Sequence, residues 1–425
     1  MSDRAPDDTS TDKNPSDTRA PLPVHAIVRV GVLTLAVLLL QAQPQNLPLL
    51  ADFHSARAAE DRQDYTTAAE ALSDAAERLW YSGEAAWRAA QADLLARRYE
   101  SAIEQVQRSA ALDGWTPARR VALGDAFLGS GDRARAIEQW ELALPDLPND
   151  DGLLARLANS YEAEKRYADA ATLLARLAQL RGGDAAVLYR LALLTAVTSP
   201  DQCLARIALA VALVPDLAPR LEGLRQAVEA GQSSGDEAYT FGRVGYALIQ
   251  MKEWALAEAA LTQAAALNPS FADAWAYRGL AQDMLGEDGE QSYQTAISLV
   301  PQSPLPLFLL GLHWRRLGQS AAALPYLKQA QALDPQNPAI AAEMGGAYAS
   351  IADLPNAEVW FTQAVSLAPQ SLDFWLLLAR FYIDNEYHVA EYGLPAALAA
   401  VGLNAESALA QDALGYALVL TGDVS

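Results

Sequence analysis

At 425 residues the chain exceeds one ordinary compact domain, so several domains or an extended array is expected. Alanine and leucine dominate an apolar fraction of 52%, while β-branched residues and phenylalanine are sparse, which favours helix over strand. The formal charge of −21 disfavours a nucleic-acid partner or broad adsorption to anionic lipid, and a single cysteine, Cys203, excludes an internal disulfide and a cysteine zinc cluster.

Residues 1–23 are rich in Asp, Ser, Thr, Pro and Arg, and lack the apolar surface to fold, which predicts a disordered tail. Residues 24–44 hold an apolar stretch whose charge-free part, Val30–Leu40, follows Arg29. Counted from Val24 it is shorter than the roughly 20 residues of a full membrane span and includes His25 and Arg29. An uncleaved signal-anchor is the expectation, because the tail before it is long for a signal peptide. A cleaved signal peptide, or a buried helix in a cytosolic protein, is the alternative. Arg19 and Arg29 precede the run, which predicts a cytoplasmic tail and repeats outside, with membrane contact through this segment alone.

From Leu49 the sequence becomes periodic, and residues 49–215 read as a first sub-array. Leu49–Ser82 rests on Tyr65, Ala68 and Leu72, and Gly83–Thr116 on Ala89, Ala90, Ala102 and Val106. Pro117–Asp150 is clearer, with Leu123, Gly124, Phe127, Ala136, Trp140, Ala143 and Pro148. Asp151–Asp184 offers Leu154, Leu157, Ala158, Tyr161, Ala170 and Leu174. Asp184–Pro215 turns at TSPDQC, where Ser199 suits a helix cap and Pro200 a first helical residue; Cys203 beyond it reads as a buried apolar filler. Residues 216–237 break the period and predict one extra helix, Leu217–Ala230, then the loop GQSSGDE, as a joint between sub-arrays.

Residues 238–425 form the second sub-array. Pro269, Pro301, Pro335 and Pro369 recur at spacings of 32, 34 and 34. Ala238–Phe271 carries Phe241, Val244, Gly245, Leu248, Ala257, Leu261, Ala264 and Pro269 at positions 4, 7, 8, 11, 20, 24, 27 and 32. Pro304–Asn337 and Pro338–Ser371 repeat the set, with Gly311 and Gly345 eighth and Leu327 and Phe361 twenty-fourth. Ala272–Ser303 lacks two residues around Gly286–Gly289, and Leu372–Ser407 carries about two extra near EYHVAEYGLPAA. The last unit begins near Ala408 and stops at Ser425 after one apolar helix, which reads as a chain that continues rather than as a polar cap.

The spacings have a mechanical reading. Positions 4, 7, 8 and 11 share one face of a first helix, and the small eighth residue lets it press on the second. Alanines at 20 and 27 admit the neighbouring helices, and proline near 32 ends the second helix. Gly131, Gly286 and Gly318 fall at the turn inside a unit, where a left-handed stop suits glycine.

This pattern resembles the tetratricopeptide repeat, W-x2-L-G-x2-Y, then A-x3-F, then P. The resemblance covers nearly everything after Leu49 and is densest in Ala238–Ser371. It implies an all-α, right-handed α-solenoid of about ten helix-pair repeats plus a terminal half repeat, with a concave groove lined by the first helices. Carried onto this chain, the groove positions are Tyr239, Tyr246, Ile249, Asp283, Phe308, Leu312, Arg315, Arg316 and Arg380. Aromatic platforms with arginines suit a protein or peptide partner, and Arg315, Arg316 and Arg380 suit a carboxylate.

Catalytic signatures are missing from the sequence. The four histidines, His25, His54, His313 and His388, stand at no metal-ligand spacing, and no phosphate loop or nucleophile elbow occurs. No catalytic, metal or cofactor residue is nominated, and His313, beside Trp314 and Arg315, reads as packing or a groove contact. The expected function is a non-enzymatic interaction scaffold, in envelope assembly or secretion. A substrate-recruiting region of an enzyme whose catalytic domain lies beyond residue 425 is the alternative.

Overall fold

The computed structural model describes residues 47–422; the tail and the apolar segment 24–44 lie outside them. Within that range the fold is all-α, with 22 α-helices and no strand. No described helix is long and apolar enough to cross a membrane.

The helices come in antiparallel pairs. They are α1 (Leu47–Glu60) and α2 (Tyr65–Arg78), α3 (Gly83–Leu95) and α4 (Tyr99–Asp113), α5 (Pro117–Gly129) and α6 (Arg133–Ala143). Next come α7 (Asp151–Ala163) and α8 (Tyr167–Arg181), then α9 (Ala185–Thr198) and α10 (Pro200–Leu213). A 3-10 turn (Pro215–Leu217) leads into the unpaired α11 (Ala218–Ser234). The pairs resume with α12 (Glu237–Gln250) and α13 (Trp254–Leu267), α14 (Ala272–Met284) and α15 (Glu290–Leu299), α16 (Pro304–Arg316) and α17 (Ser320–Leu333). They end with α18 (Pro338–Ser350) and α19 (Leu354–Leu367), α20 (Leu372–Asp384) and α21 (Leu394–Leu403), and a lone α22 (Ala408–Thr421). Ten pairs and a half repeat are therefore present among the described residues.

The chain forms two compact units, one ending at Pro148 and one beginning at Asn149. That division differs from the joint expected at residues 216–237. There the extra helix exists, but it packs on α9, α10 and α12 and so continues the second unit.

The small eighth residue is explained atom by atom. A Cβ on Gly245 would lie 2.5 Å from Leu261, one on Gly311 2.5 Å from Leu327, and one on Gly345 2.8 Å from Phe361. Gly124 meets the Trp140 ring in the same way, at 2.4 Å. In the short repeat Gly279 meets Tyr293 at 2.7 Å, so the deletion moves the turn and keeps the contact. Pro269, Pro301, Pro335 and Pro369 each stand two residues past a second helix. Trp275 and Trp375 donate indole hydrogen bonds to the carbonyls of Pro269 and Pro369, at 3.0 and 2.9 Å, tying each first helix to the turn before it.

Gly131, Gly286 and Gly318 adopt φ of +92°, +78° and +73°, as expected. Gln63, Arg97, Lys165, Lys252 and Ala352 hold the same left-handed position without being glycine. Pro200 opens α10, but the Ser199 side chain makes no capping bond; Asp132, Asp150 and Asp236 do cap their helices. Cys203 is fully buried with Sγ 3.6 Å from the Ala192 carbonyl oxygen, and burial pushes its thiol up to about 12. The extra residues of Leu372–Ser407 form a π-helical turn, Val389–Gly393, seated on Tyr382.

Candidate functional site

The first helices of the second unit lie side by side, α12 on α14, α14 on α16, α16 on α18 and α18 on α20. Side chains link them laterally. Tyr246 of α12 packs edge-to-face on Tyr277 of α14, with ring centroids 5.1 Å apart, and burial together with that neighbour raises the Tyr277 hydroxyl. Arg316 of α16 reaches back to Met284 Sδ at 3.0 Å and pairs with Asp283, both on α14. Arg315 pairs forward with Glu343 of α18, and a Cβ at Gly346 would collide with its guanidinium. The result is a continuous row of aromatic and charged groups across four repeats.

The nominated residues divide. Tyr239 and Tyr246, each 38% exposed, stand open on α12, seven residues and so about two turns apart on one face. Phe308 and Leu312 are half-buried on α16. Ile249 is buried in the core and takes no part in the open face. Asp283 has only 5% of its side chain exposed and is enclosed by donors: the Tyr293 hydroxyl at 2.8 Å, His313 Nδ1 at 2.8 Å, the Gly289 N–H at 3.1 Å, and Arg316. The short turn after α14 folds back over this carboxylate.

The three arginines do not form a vacant carboxylate clamp. Arg315 and Arg316 already hold Glu343 and Asp283, and burial lowers the Arg315 guanidinium from its usual value. Arg380 is exposed and faces Asp384 one turn along α20 at 3.7 Å. A bound carboxylate would have to displace internal partners at two of the three.

Sequence reasoning missed a second feature of this unit. In this unit the turn between α7 and α8 reaches α13 and the turn after α14: the Tyr167 hydroxyl points to the Ala255 carbonyl at 3.4 Å, and Lys165 lies 3.6 Å from Glu258 and 3.5 Å from Glu287. Arg190 bridges Glu162 and Glu253 at 2.5 and 2.7 Å. Burial, with Glu258 nearby, pushes the Tyr167 hydroxyl up to about 12. A cleft of about 650 Å³ opens here, lined in part by Lys165, Arg166, Phe241, Glu258 and Thr262. In the first unit a cleft of about 910 Å³ lies between α1, α2 and α3, and Gln91 on its wall is a first-helix residue.

With this geometry established, comparison with known proteins gives three results. The tetratricopeptide repeat family profile matches residues 245–304 and 286–338. No curated protein matches the chain significantly. Solved structures that resemble it include the APC/C hetero-tetramer Cut9–Hcn1 (15% identity, 89% of this chain and 95% of that one, TM-score 0.39). Yeast Tom70 is similar at 13% identity over 88% of this chain and 96% of that one, TM-score 0.40. YrrB, a tetratricopeptide protein described with an unusual peptide-binding site, aligns at 21% identity over 44% of this chain and 96% of its own, TM-score 0.34.

Proposed function

We propose that the chain is a tetratricopeptide-type scaffold that holds an extended segment of another protein across the first helices α12, α14, α16 and α18. The observation that carries this reading is the continuous row on those helices, with Tyr239, Tyr246 and Met284 exposed at its α12–α14 end and half-buried Phe308 and Leu312 on α16. Tyrosine offers a large contact area with little conformational freedom to lose, which suits a recognition surface. The paired arginines favour a ligand whose backbone and apolar side chains make the contact over one that depends on a terminal carboxylate.

Selection of a displayed random-peptide library on the full chain tests this. Peptides enriched on the wild type should bind Tyr239→Ala/Tyr246→Ala at least tenfold more weakly, because both rings are part-exposed and neither belongs to the buried core. Enriched peptides that bind the double variant equally well sink the assignment.

Residence at a membrane, with the repeats outside the cytoplasm in envelope assembly or secretion, is the finer part of the proposal. It rests on the sequence of residues 24–44 alone. Protease added to intact cells should degrade the repeats; repeats that survive until the cells are lysed refute it.

A further inference from the structure

The short turn after α14 places Asp288 and Glu290 beside His313, which lies on the first helix of the next pair. His313 on α16 is 4% exposed. Its Nδ1 lies 2.8 Å from Asp283 Oδ1, and every other group around that carboxylate is a donor: the Tyr293 hydroxyl, the Gly289 N–H and Arg316. Nδ1 therefore donates to Asp283, and in the neutral imidazole this leaves the lone pair on Nε2. Nε2 faces the exposed Asp288 carboxylate, 3.8 Å away. Glu290 supplies a second carboxylate, and the three ligand atoms lie within 4.8 Å of one another.

The turn is held for this arrangement. Gly289 sits so close to the first helix that a Cβ there would lie 2.3 Å from the Gly279 carbonyl oxygen. The Asp288 carboxylate accepts the Glu290 N–H at 2.9 Å, which holds the Asp288 side chain over the start of α15, and the Glu290 carboxylate accepts from Gln294 Nε2 at 2.5 Å. A buried imidazole with one nitrogen anchored to a carboxylate and the other aimed at two acids is the arrangement by which a metal-ligating histidine is oriented.

We propose that Asp288, Glu290 and Nε2 of His313 bind a first-row divalent transition metal of the Zn²⁺ class. One imidazole and two carboxylates suit such an ion better than Mg²⁺ or Ca²⁺, which prefer oxygen alone. Tetrahedral Zn²⁺ holds its ligands roughly 3.3–3.6 Å apart, so the site closes by about 1 Å through rotation of the Asp288 and Glu290 side chains. The fourth position is left to water or to a donor from a bound partner. The ion ties the turn between α14 and α15 to the first helix of the next pair, fixing one repeat on another.

Titration of the full chain with Zn²⁺ against a chromophoric chelator tests the site. The wild type should bind one equivalent, and Asp288→Asn/Glu290→Gln should bind at least tenfold more weakly; Asp288 is exposed, Glu290 is half-buried, and both replacements keep the side-chain shape and an accepting oxygen, so this variant folds. Co²⁺ should give visible d–d bands in the wild type that the double variant lacks, and Zn²⁺ should raise the Tm of the wild type alone. Three outcomes overturn the proposal: undiminished binding by the double variant, displacement of Zn²⁺ by equimolar Mg²⁺, or affinity lost on His54→Gln/His388→Gln instead.

Discussion

The helices α1–α3 and α16–α18 follow one hairpin plan with cores of different material. Around α1–α3 the buried set is Ala56, Ala69, Ala71, Ala76, Ala85, Ala89 and Ala92, with Leu72 the one larger side chain. Around α16–α18 it is Leu307, Leu324, Leu327, Ile340 and Met344 among three alanines, flanked by Phe308, Trp314, Tyr326, Tyr348 and Trp360. Alanine lets helices approach closely and is the best helix former, but each buried methylene it lacks forgoes about 0.8 kcal/mol of transfer energy. The alanine hairpins are thus strong in local propensity and thin in tertiary stabilisation. The later pairs are the reverse.

The sharpest way to break that comparison is a pair of truncations. Leu327 is fully buried against Gly311, so Leu327→Ala should cost about 2–5 kcal/mol, read from the urea midpoint of the second unit. Leu72, 7% exposed among alanines that can close over it, should cost less. Hydrogen exchange on the wild type should show α1–α3 opening before α16–α18. Equal costs and equal protection remove the distinction.

A smaller effect sharpens it. Asp93 on α3 is buried, and burial raises its carboxyl above the usual range against the opposing pull of Ser101 and Arg98. A carboxyl raised in the folded state binds its proton more tightly there than when unfolded. Its contribution is present below the unfolded value near 3.9 and declines as pH rises through the folded value. Urea midpoints of the first unit should fall over that window, and Asp93→Asn should remove this part of the fall. A variant with an unchanged pH profile would show that Asp93 is not the cause.

The smallest effect concerns the turns. Lys252 and Ala352 hold the left-handed position at φ of +61° and +62° that Gly318 fills at +73°. Lys252→Gly and Ala352→Gly should each stabilise by about 0.5–1 kcal/mol, seen as a modest rise in Tm. A fall in Tm would mean that these side chains contribute more than the strain they impose.

The helix pairs were legible because each repeat states its packing in local terms. Gly245, Gly311 and Gly345 stand one helix away from Leu261, Leu327 and Phe361, and the prolines mark where second helices stop. The candidate face was legible in part. Tyr239 and Tyr246 are part-exposed, whereas Ile249 turns into the core and Asp283 is enclosed by its neighbours. Position within a repeat fixes which side of a helix a residue occupies. It does not state what an altered turn lays over that side. His313 escaped notice as a ligand for the same reason: Asp288 and Glu290 lie on another element and at no recognisable spacing from it.

By itself, the order of residues determined the helices, their pairing and their stride, because propensity, apolar period and turn chemistry act within a few tens of residues. Only the tertiary structure decided where the compact units divide, that the Lys165 turn meets α13, and which charges are already paired. These depend on distances between residues separated by up to 122 positions, as Lys165 and Glu287 are, and no local rule fixes such distances until the helices between them have packed.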